Sequence, residues 1–183
     1  MRHPLPIGLA ALLFLAASCR QEDVQTRRAR QMAALSELGT VEYTVRKVIK
    51  ADDPGPWYKI GDRKILFTCT AHLKAGIDMS GFRPEDLQES LDGSGLTVTL
   101  PHARLLSLDM PPDEIRLVYT QVTFFRSDFT ARERNDLLRQ GEQEIRAEVP
   151  SLGILAEAEA GAEQTLRALL TPLGYESIHI RFR

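Results

Sequence analysis

The most regular pattern in the chain is an alternation of apolar and polar residues in RKILFTCTAHLKAGIDMS, residues 63–80. Apolar side chains occupy every second position from Ile65 to Met79, and mostly polar ones lie between them. Because successive side chains of a strand point to opposite faces, this predicts one long strand with a buried face and a wetter face. A strand of this length is expected to bend or to change pairing partner.

A second alternation precedes the long strand, in TVEYTVRKVIK. Val41, Tyr43 and Val45 share one face, but Val48 falls on the polar side, so the pattern predicts a bulge or an edge near Lys47. Two further strands are predicted in LTVTLP, residues 96–101 with Leu96, Val98 and Leu100 inward, and in EIRLVYTQVTFF, residues 114–125.

Helical spacing begins after Asp128. Thr130 and Glu133 fit a capping box, and Pro150 ends the first helix. Leu138, Ile145 and Val149 share its apolar face, and the chain closes with a strand in YESIHIRF, residues 175–182. The second helix is expected to bury a stripe consisting of Leu155, Ala158, Ala162, Leu166, Leu169 and Leu173.

These elements predict an α+β fold: a mostly antiparallel sheet, a C-terminal pair of helices packed on one face, and a final strand. A chain of 183 residues with 43% hydrophobic and 26% charged residues is sufficient for a single domain, which we expect over residues 39–183. The net charge of -2 argues against a nucleic-acid-binding protein.

The N-terminus has the order of a signal peptide, with basic Arg2, an apolar segment from Leu5 to Ala17, and small residues before Cys19. The apolar run is shorter than the ~17–25 residues of a membrane-spanning helix. Ala16 and Ser18 also fit ordinary secretory cleavage. LAASC, however, resembles the bacterial lipobox, in which the cysteine becomes the first mature residue and carries lipid. We therefore expect a signal peptide over residues 1–18 and lipidation of Cys19.

Acyl chains such as palmitate on Cys19 would hold the protein on a membrane, because two or three chains anchor stably. Residues 19–38 are interpreted as a lipidated tether and a short juxtamembrane helix that ends at Gly39. Its arginines, Arg27, Arg28 and Arg30, would lie near lipid headgroups or simply form a solvated face. In Gram-negative lipoproteins, which this N-terminus resembles, an aspartate directly after the cysteine commonly means retention in the inner membrane. Arg20 occupies that position, so the resemblance implies the periplasmic face of the outer membrane in a Gram-negative host.

Four phrases together resemble one bacterial family, the domain of unknown function 4230. They are LGTVEYTVRKVIKADD, WYKIGDRKILFTCTAHLKAGIDMS, LTVTLPHARLLSLDM and GILAEAEAGAEQTLRALLTPLGYESIHI. The resemblance runs from about Leu38 to Phe182. It implies a small extracytoplasmic domain anchored at a membrane, and it implies no activity, cofactor or catalytic residue.

No residue pattern specifies catalysis. Cys69 lies on the apolar face of the long strand, which predicts an inert core thiol. His72 and His102 could act with Asp78 and Asp109, but no spacing typical of a metal site occurs. We expect no metal and no cofactor.

Three residues are candidates for contact with a ligand or partner. Asp78 could accept a hydrogen bond from a ligand or cap the turn before Gly81, and Trp57 and Tyr58 could meet a partner or fold over the core.

The sequence thus favours a non-catalytic binding or scaffolding lipoprotein of the cell envelope, with the membrane and an envelope protein as partners. The alternative is a small hydrolase or ligand-binding enzyme of the envelope, in which His72, His102, Asp78, Asp109 and Glu42 would converge. A lipid carrier, a third hypothesis, would need a dry cavity behind the long strand.

Overall fold

The computed structural model describes residues 24–55, 61–123 and 125–183. Its three helices are α1 (Val24–Ala33), α2 (Ala131–Glu148) and α3 (Ile154–Leu170). The strands are β1 (Glu37–Asp53), β2 (Arg63–Asp78), β3 (Leu87–Glu89), β4 (Gly95–Leu100), β5 (Arg104–Asp109), β6 (Arg116–Val122) and β7 (Ser177–Phe182). This mixture of sheets, two C-terminal helices and a final strand confirms the predicted α+β class.

The long strand β2 is the centre of the larger sheet. It pairs antiparallel with β1 along its whole length, and its other edge is shared by two strands. Residues 63–68 pair with β6 and residues 72–76 with β5, which confirms the predicted change of partner. The smaller sheet joins β3 and β4 antiparallel, and it joins β4 and β7 parallel.

A bulge or an edge was predicted near Lys47, and the structure has the edge without the bulge: among the described residues β1 pairs only with β2. The β1–β2 register is continuous from Val41 to Asp53, and its irregularity lies between Leu38 and Val41. Val48 is exposed, and the inward position before it belongs to Lys47, whose ammonium reaches Glu148 on α2 at 2.7 Å. A lysine can occupy this position because its apolar stem lies along the packed face while its charge meets a carboxylate.

The helix predicted to run to Gly39 is shorter than expected. It ends at Ala33, and Leu38 is buried as part of β1. Gly39 has φ +62° and lies against α3, where an added Cβ would be 2.4 Å from the carbonyl oxygen of Ala158. Its glycine is therefore required by a positive φ and a close strand–helix contact rather than by a helix end.

The inward face of β2 fills the core, as the alternation predicts. Its second half, from Ala71 to Ile77, packs with β4 and α3, and its first half packs with Ile49 and Phe129. The fully covered side chains of β2 are those of Ile65, Cys69, Ala71, Leu73, Ala75 and Ile77.

The capping box of α2 is confirmed, since the Glu133 N–H donates to Thr130 Oγ1 at 3.3 Å and the Thr130 N–H donates to Glu133 Oε2 at 2.7 Å. The stripe predicted for α3 is wrong at one end, because Leu169 and Leu173 are exposed. The buried row recurs every four residues, in the order Ile154, Ala158, Ala162, Leu166 and Leu170.

Candidate functional site

An apolar groove of about 250 Å³ opens between α1 and the C-terminal end of α3. Its floor consists of buried Leu87, Leu96 and Leu170, which belong to β3, β4 and α3. The walls are formed by Met32 and Leu35 on the α1 side and by Leu169 and Leu173 on the other side. The groove thus lies beside α1, the first element of the described chain.

A polar cluster borders the groove and ties α1 to the smaller sheet. The Arg28 guanidinium donates to Glu89 Oε1 and to the Tyr175 hydroxyl, both at 2.5 Å, and that hydroxyl donates to Glu89. Burial and the Glu89 carboxylate raise the pKa of Tyr175, so its hydroxyl stays protonated and able to donate. This cluster fixes one wall of the groove.

Leucines at the rim of the groove are in contact with water. Leu35, Leu169 and Leu173 are 44%, 52% and 59% exposed. Single exposed leucines are ordinary, whereas several around one apolar groove mark a contact surface. The helical spacing of Leu169 and Leu173 predicted burial, so their exposure could be found only from the fold.

A second surface lies at the other end of the larger sheet, along β6. All seven residues of β6 are exposed, and among the described residues β6 pairs only with β2. Leu117, Val118 and Tyr119 are large apolar side chains in contact with water, and the only charge on the strand is Arg116. An edge strand with so little charge is a template for pairing with another strand.

The other long edge strand, β1, is protected by charge. Its exposed face carries Glu42, Arg46, Lys50 and Asp52. Such side chains discourage a further strand from adding to the sheet. Of these two edge strands, β6 is therefore the one whose side chains leave room for pairing with another strand.

An ionic network fixes the segment that follows β6. Arg63 on β2 bonds Asp53 on β1 at 2.6 Å and Glu133 on α2 at 2.7 Å, and its guanidinium lies 4.4 Å from the centre of the Phe129 ring. Arg126, four residues after β6, also bonds Asp53. Arg63 lowers the pKa of Asp53 and, with the Thr130 N–H, lowers that of Glu133 to about 2. Both carboxylates are therefore charged at neutral pH.

The polar residues considered for catalysis are only partly brought together. Glu42, His72 and Asp109 line one shallow hollow, with Ser107. The His72 ring contacts Glu114 at 3.2 Å and Thr44 at 3.4 Å, and no hydrogen bond joins it to Ser107 or Asp109 within the described chain. His102 bonds Glu159 instead, at 2.9 Å, away from this hollow.

The family of the chain follows from its sequence profile. Residues 30–180 match the profile described as Protein of unknown function (DUF4230). The chain belongs to the DUF4230 family. No curated protein and no solved structure matches the chain.

The individual site candidates of this DUF4230 domain can now be placed. Asp78 accepts a hydrogen bond from the Ser80 N–H at 2.9 Å and pairs with Arg104 across the sheet. Trp57, Tyr58 and Cys19 lie outside the described residues.

The thiol of Cys69 in the DUF4230 domain is 1% exposed and donates to the Lys47 carbonyl. Burial raises its pKa, as expected for a core thiol. The described part of the chain has no group of three or more Cys, His, Asp or Glu side chains placed to bind a metal. Among the described residues, no helix combines the length and apolar character that crossing a bilayer requires.

Proposed function

We propose that this DUF4230 protein is a membrane-anchored lipoprotein of the bacterial cell envelope that acts as a non-catalytic binding module. Lipid on Cys19 holds it on the membrane, and the β6 edge receives an extended segment of an envelope protein. In a Gram-negative host its place is the periplasmic face of the outer membrane. The observation that carries the binding role is β6, a strand exposed along its whole length.

The anchor is supported by the sequence before α1. Cys19 follows a short apolar segment and small residues, and Val24 begins α1 five residues later. Five extended residues span at most roughly 17 Å. A lipid on Cys19 would therefore keep the domain close to the bilayer surface.

The binding role is supported by the chemistry of β6. A strand added to an open edge gains main-chain hydrogen bonds, and alternate side chains supply specificity. Leu117 and Tyr119 alternate with Val118 and Thr120, so both faces of an added strand would meet apolar surface. The Arg63 network holds the end of this edge in place before a partner arrives, which lowers the entropic cost of binding.

The anchor is tested by replacing the lipidated residue. Wild type should float with membranes, and its mature N-terminus should carry diacylglycerol by mass spectrometry. Cys19→Ser should be recovered without lipid and away from membranes. Wild type with an intact Met1 or a bare thiol at Cys19 would refute the anchor.

The binding edge is tested by two matched valines. Val118 on β6 and Val48 on β1 are 59% and 54% exposed. In cells carrying the lipidated protein, a photocrosslinker at Thr120 should join β6 to a partner, and the crosslinked residues should map to an extended segment of that partner. Val118→Lys should abolish this product, whereas Val48→Lys should keep it. Equal yields from both variants would show that β6 is not the binding edge.

A further inference from the structure

We infer that the apolar groove lies on the lipid bilayer itself, with Leu169 and Leu173 immersed and a phospholipid acyl chain in the groove. This inference rests on the proposed anchor at Cys19. It adds an orientation, because it states which face of the domain meets the membrane and which end points away.

The groove lies on the same side of α1 as Val24, where the described chain begins. At 100° per residue, Val24, Arg28 and Gln31 fall within roughly 60° of one another around α1. Arg28 and Gln31 line the groove, so the 58%-exposed Val24 faces the same side. Val24, the first described residue, therefore lies on the side of the groove, and five extended residues would place the proposed lipid at most roughly 17 Å from it.

The chemistry of this face suits a bilayer. Most of the lining is leucine and Met32, of which Leu35, Leu169 and Leu173 are exposed, and the Arg28, Glu89 and Tyr175 cluster forms the remaining wall with Gln31. The sequence of α1 has three arginines and no acidic residue; Arg28 is already paired with Glu89, and Arg27 is exposed. A cationic helix beside exposed leucines is the combination that binds the surface of an anionic membrane.

A soluble ligand or a second copy of the chain would explain fewer of the exposed apolar side chains on this face than a bilayer does. The groove volume of about 250 Å³ is below the ~300–1,000 Å³ typical of enclosed small-molecule sites. A ligand that filled only the groove would leave Val24, which is 58% exposed and outside the lining, in water. A bilayer covers the groove and the rim together, and the tether holds the bilayer within reach.

The same orientation keeps β6 free. The end of α1 adjoins the last residues of β2, because the Met79 N–H donates to the Ser36 carbonyl. β6 pairs with residues 63–68 of β2, and Thr68 lies ten residues before Asp78. At ~3.3 Å per residue, the part of β2 that pairs with β6 begins at most roughly 33 Å from the end of β2 that adjoins α1.

The test uses the full lipidated protein in phosphatidylcholine–phosphatidylglycerol vesicles. A polarity-sensitive fluorophore is placed at Leu173→Cys or, as the control, at Val118→Cys. These residues are both 59% exposed, so labelling disturbs them alike. Cys69 is 1% exposed and stays unlabelled, and Cys19 is blocked by its lipid. Some of the phospholipid carries a spin label on its acyl chains, which quenches only nearby fluorophores.

We expect blue-shifted emission and at least fivefold stronger quenching at position 173 than at position 118. A second comparison places the fluorophore at Leu35→Cys, with Leu169 and Leu173 either kept or both changed to Ser. Quenching should be at least fivefold weaker in the Ser variant, because replacing each leucine lowers the partition of that side chain into hydrocarbon roughly five- to tenfold. Circular dichroism should show that this variant is folded.

Other outcomes overturn the inference in distinguishable ways. Floated protein with equal quenching at both positions would refute the orientation and leave the anchor intact. Shielding of position 173 that requires added palmitic acid would identify a fatty-acid site instead. Shielding that rises with protein density on vesicles without the spin label would identify a second copy as the occupant. Protein left in the supernatant would refute the anchor and the orientation together.

Discussion

Replacing Gly39 by alanine tests whether the contact between β1 and α3 is as close as the structure shows. Gly39 has φ +62°, and an alanine in this left-handed conformation lowers the free energy of unfolding by about 1–2 kcal/mol. Its Cβ would also meet the Ala158 carbonyl oxygen at 2.4 Å and the Ala162 nitrogen at 2.5 Å. These are main-chain atoms of a buried helix face and cannot rotate away, so overpacking adds about 1–3 kcal/mol. The expected total is about 3 kcal/mol.

The matched control is Gly93→Ala. Gly93 also has a positive φ, +74°, but nothing lies within 4 Å of its added Cβ, so only the backbone cost of about 1–2 kcal/mol applies. The difference between the variants therefore isolates the contact with α3.

The assay is urea unfolding of the protein without residues 1–19, followed by far-UV circular dichroism. With a slope of ~1–3 kcal/mol per molar urea, the Gly39→Ala midpoint should fall by about 1–3 M at an unchanged slope. A loss of this size is a large part of the ~5–15 kcal/mol of a typical domain. If Gly39→Ala cost no more than Gly93→Ala, the close approach of strand and helix would be refuted.

Two further predictions concern charge and the thiol. Arg63 and the Thr130 N–H hold the pKa of Glu133 at about 2, below its usual 4.5, so the charged form contributes stability above pH 4.5 that is lost as pH falls toward 2. Glu133→Gln should therefore lower the thermal midpoint at pH 7, and the two proteins should converge near pH 2; a constant difference down to pH 2 would contradict the ionic role. Cys69, buried and with a raised pKa, should react with less than about a tenth of an equivalent of a disulfide reagent in folded Cys19→Ser protein and with a full equivalent in denaturant; rapid reaction of the folded protein would contradict its core position.

The sequence by itself determined the elements with a clear period. The alternation from Ile65 to Met79 identified the long strand and its buried face, because alternate side chains of a strand point to opposite faces and only one face here is apolar. The capping box at Thr130 and the closing strand in residues 175–182 were equally local. The phrases shared with the DUF4230 family were also readable from the chain alone.

Positions that depend on a neighbouring element were misjudged. Lys47 broke the alternation in sequence, yet its ammonium finds Glu148 on α2, about a hundred residues later. Gly39 looked like a helix end, but its conformation serves a contact with α3. Neither contact is local in sequence, so the pattern of neighbouring residues could not predict it.

The candidate surfaces were decided only by the tertiary structure. Leu169 and Leu173 have helical spacing that fits burial, but within the described part of the chain they stay exposed at the end of α3 and in the turn after it, where they line a groove instead. The strand β6 was predicted, whereas its exposure follows from its place at the outer edge of the larger sheet. Periodicity fixes which side chains share a face, while only the packing of whole elements decides which faces remain open to water.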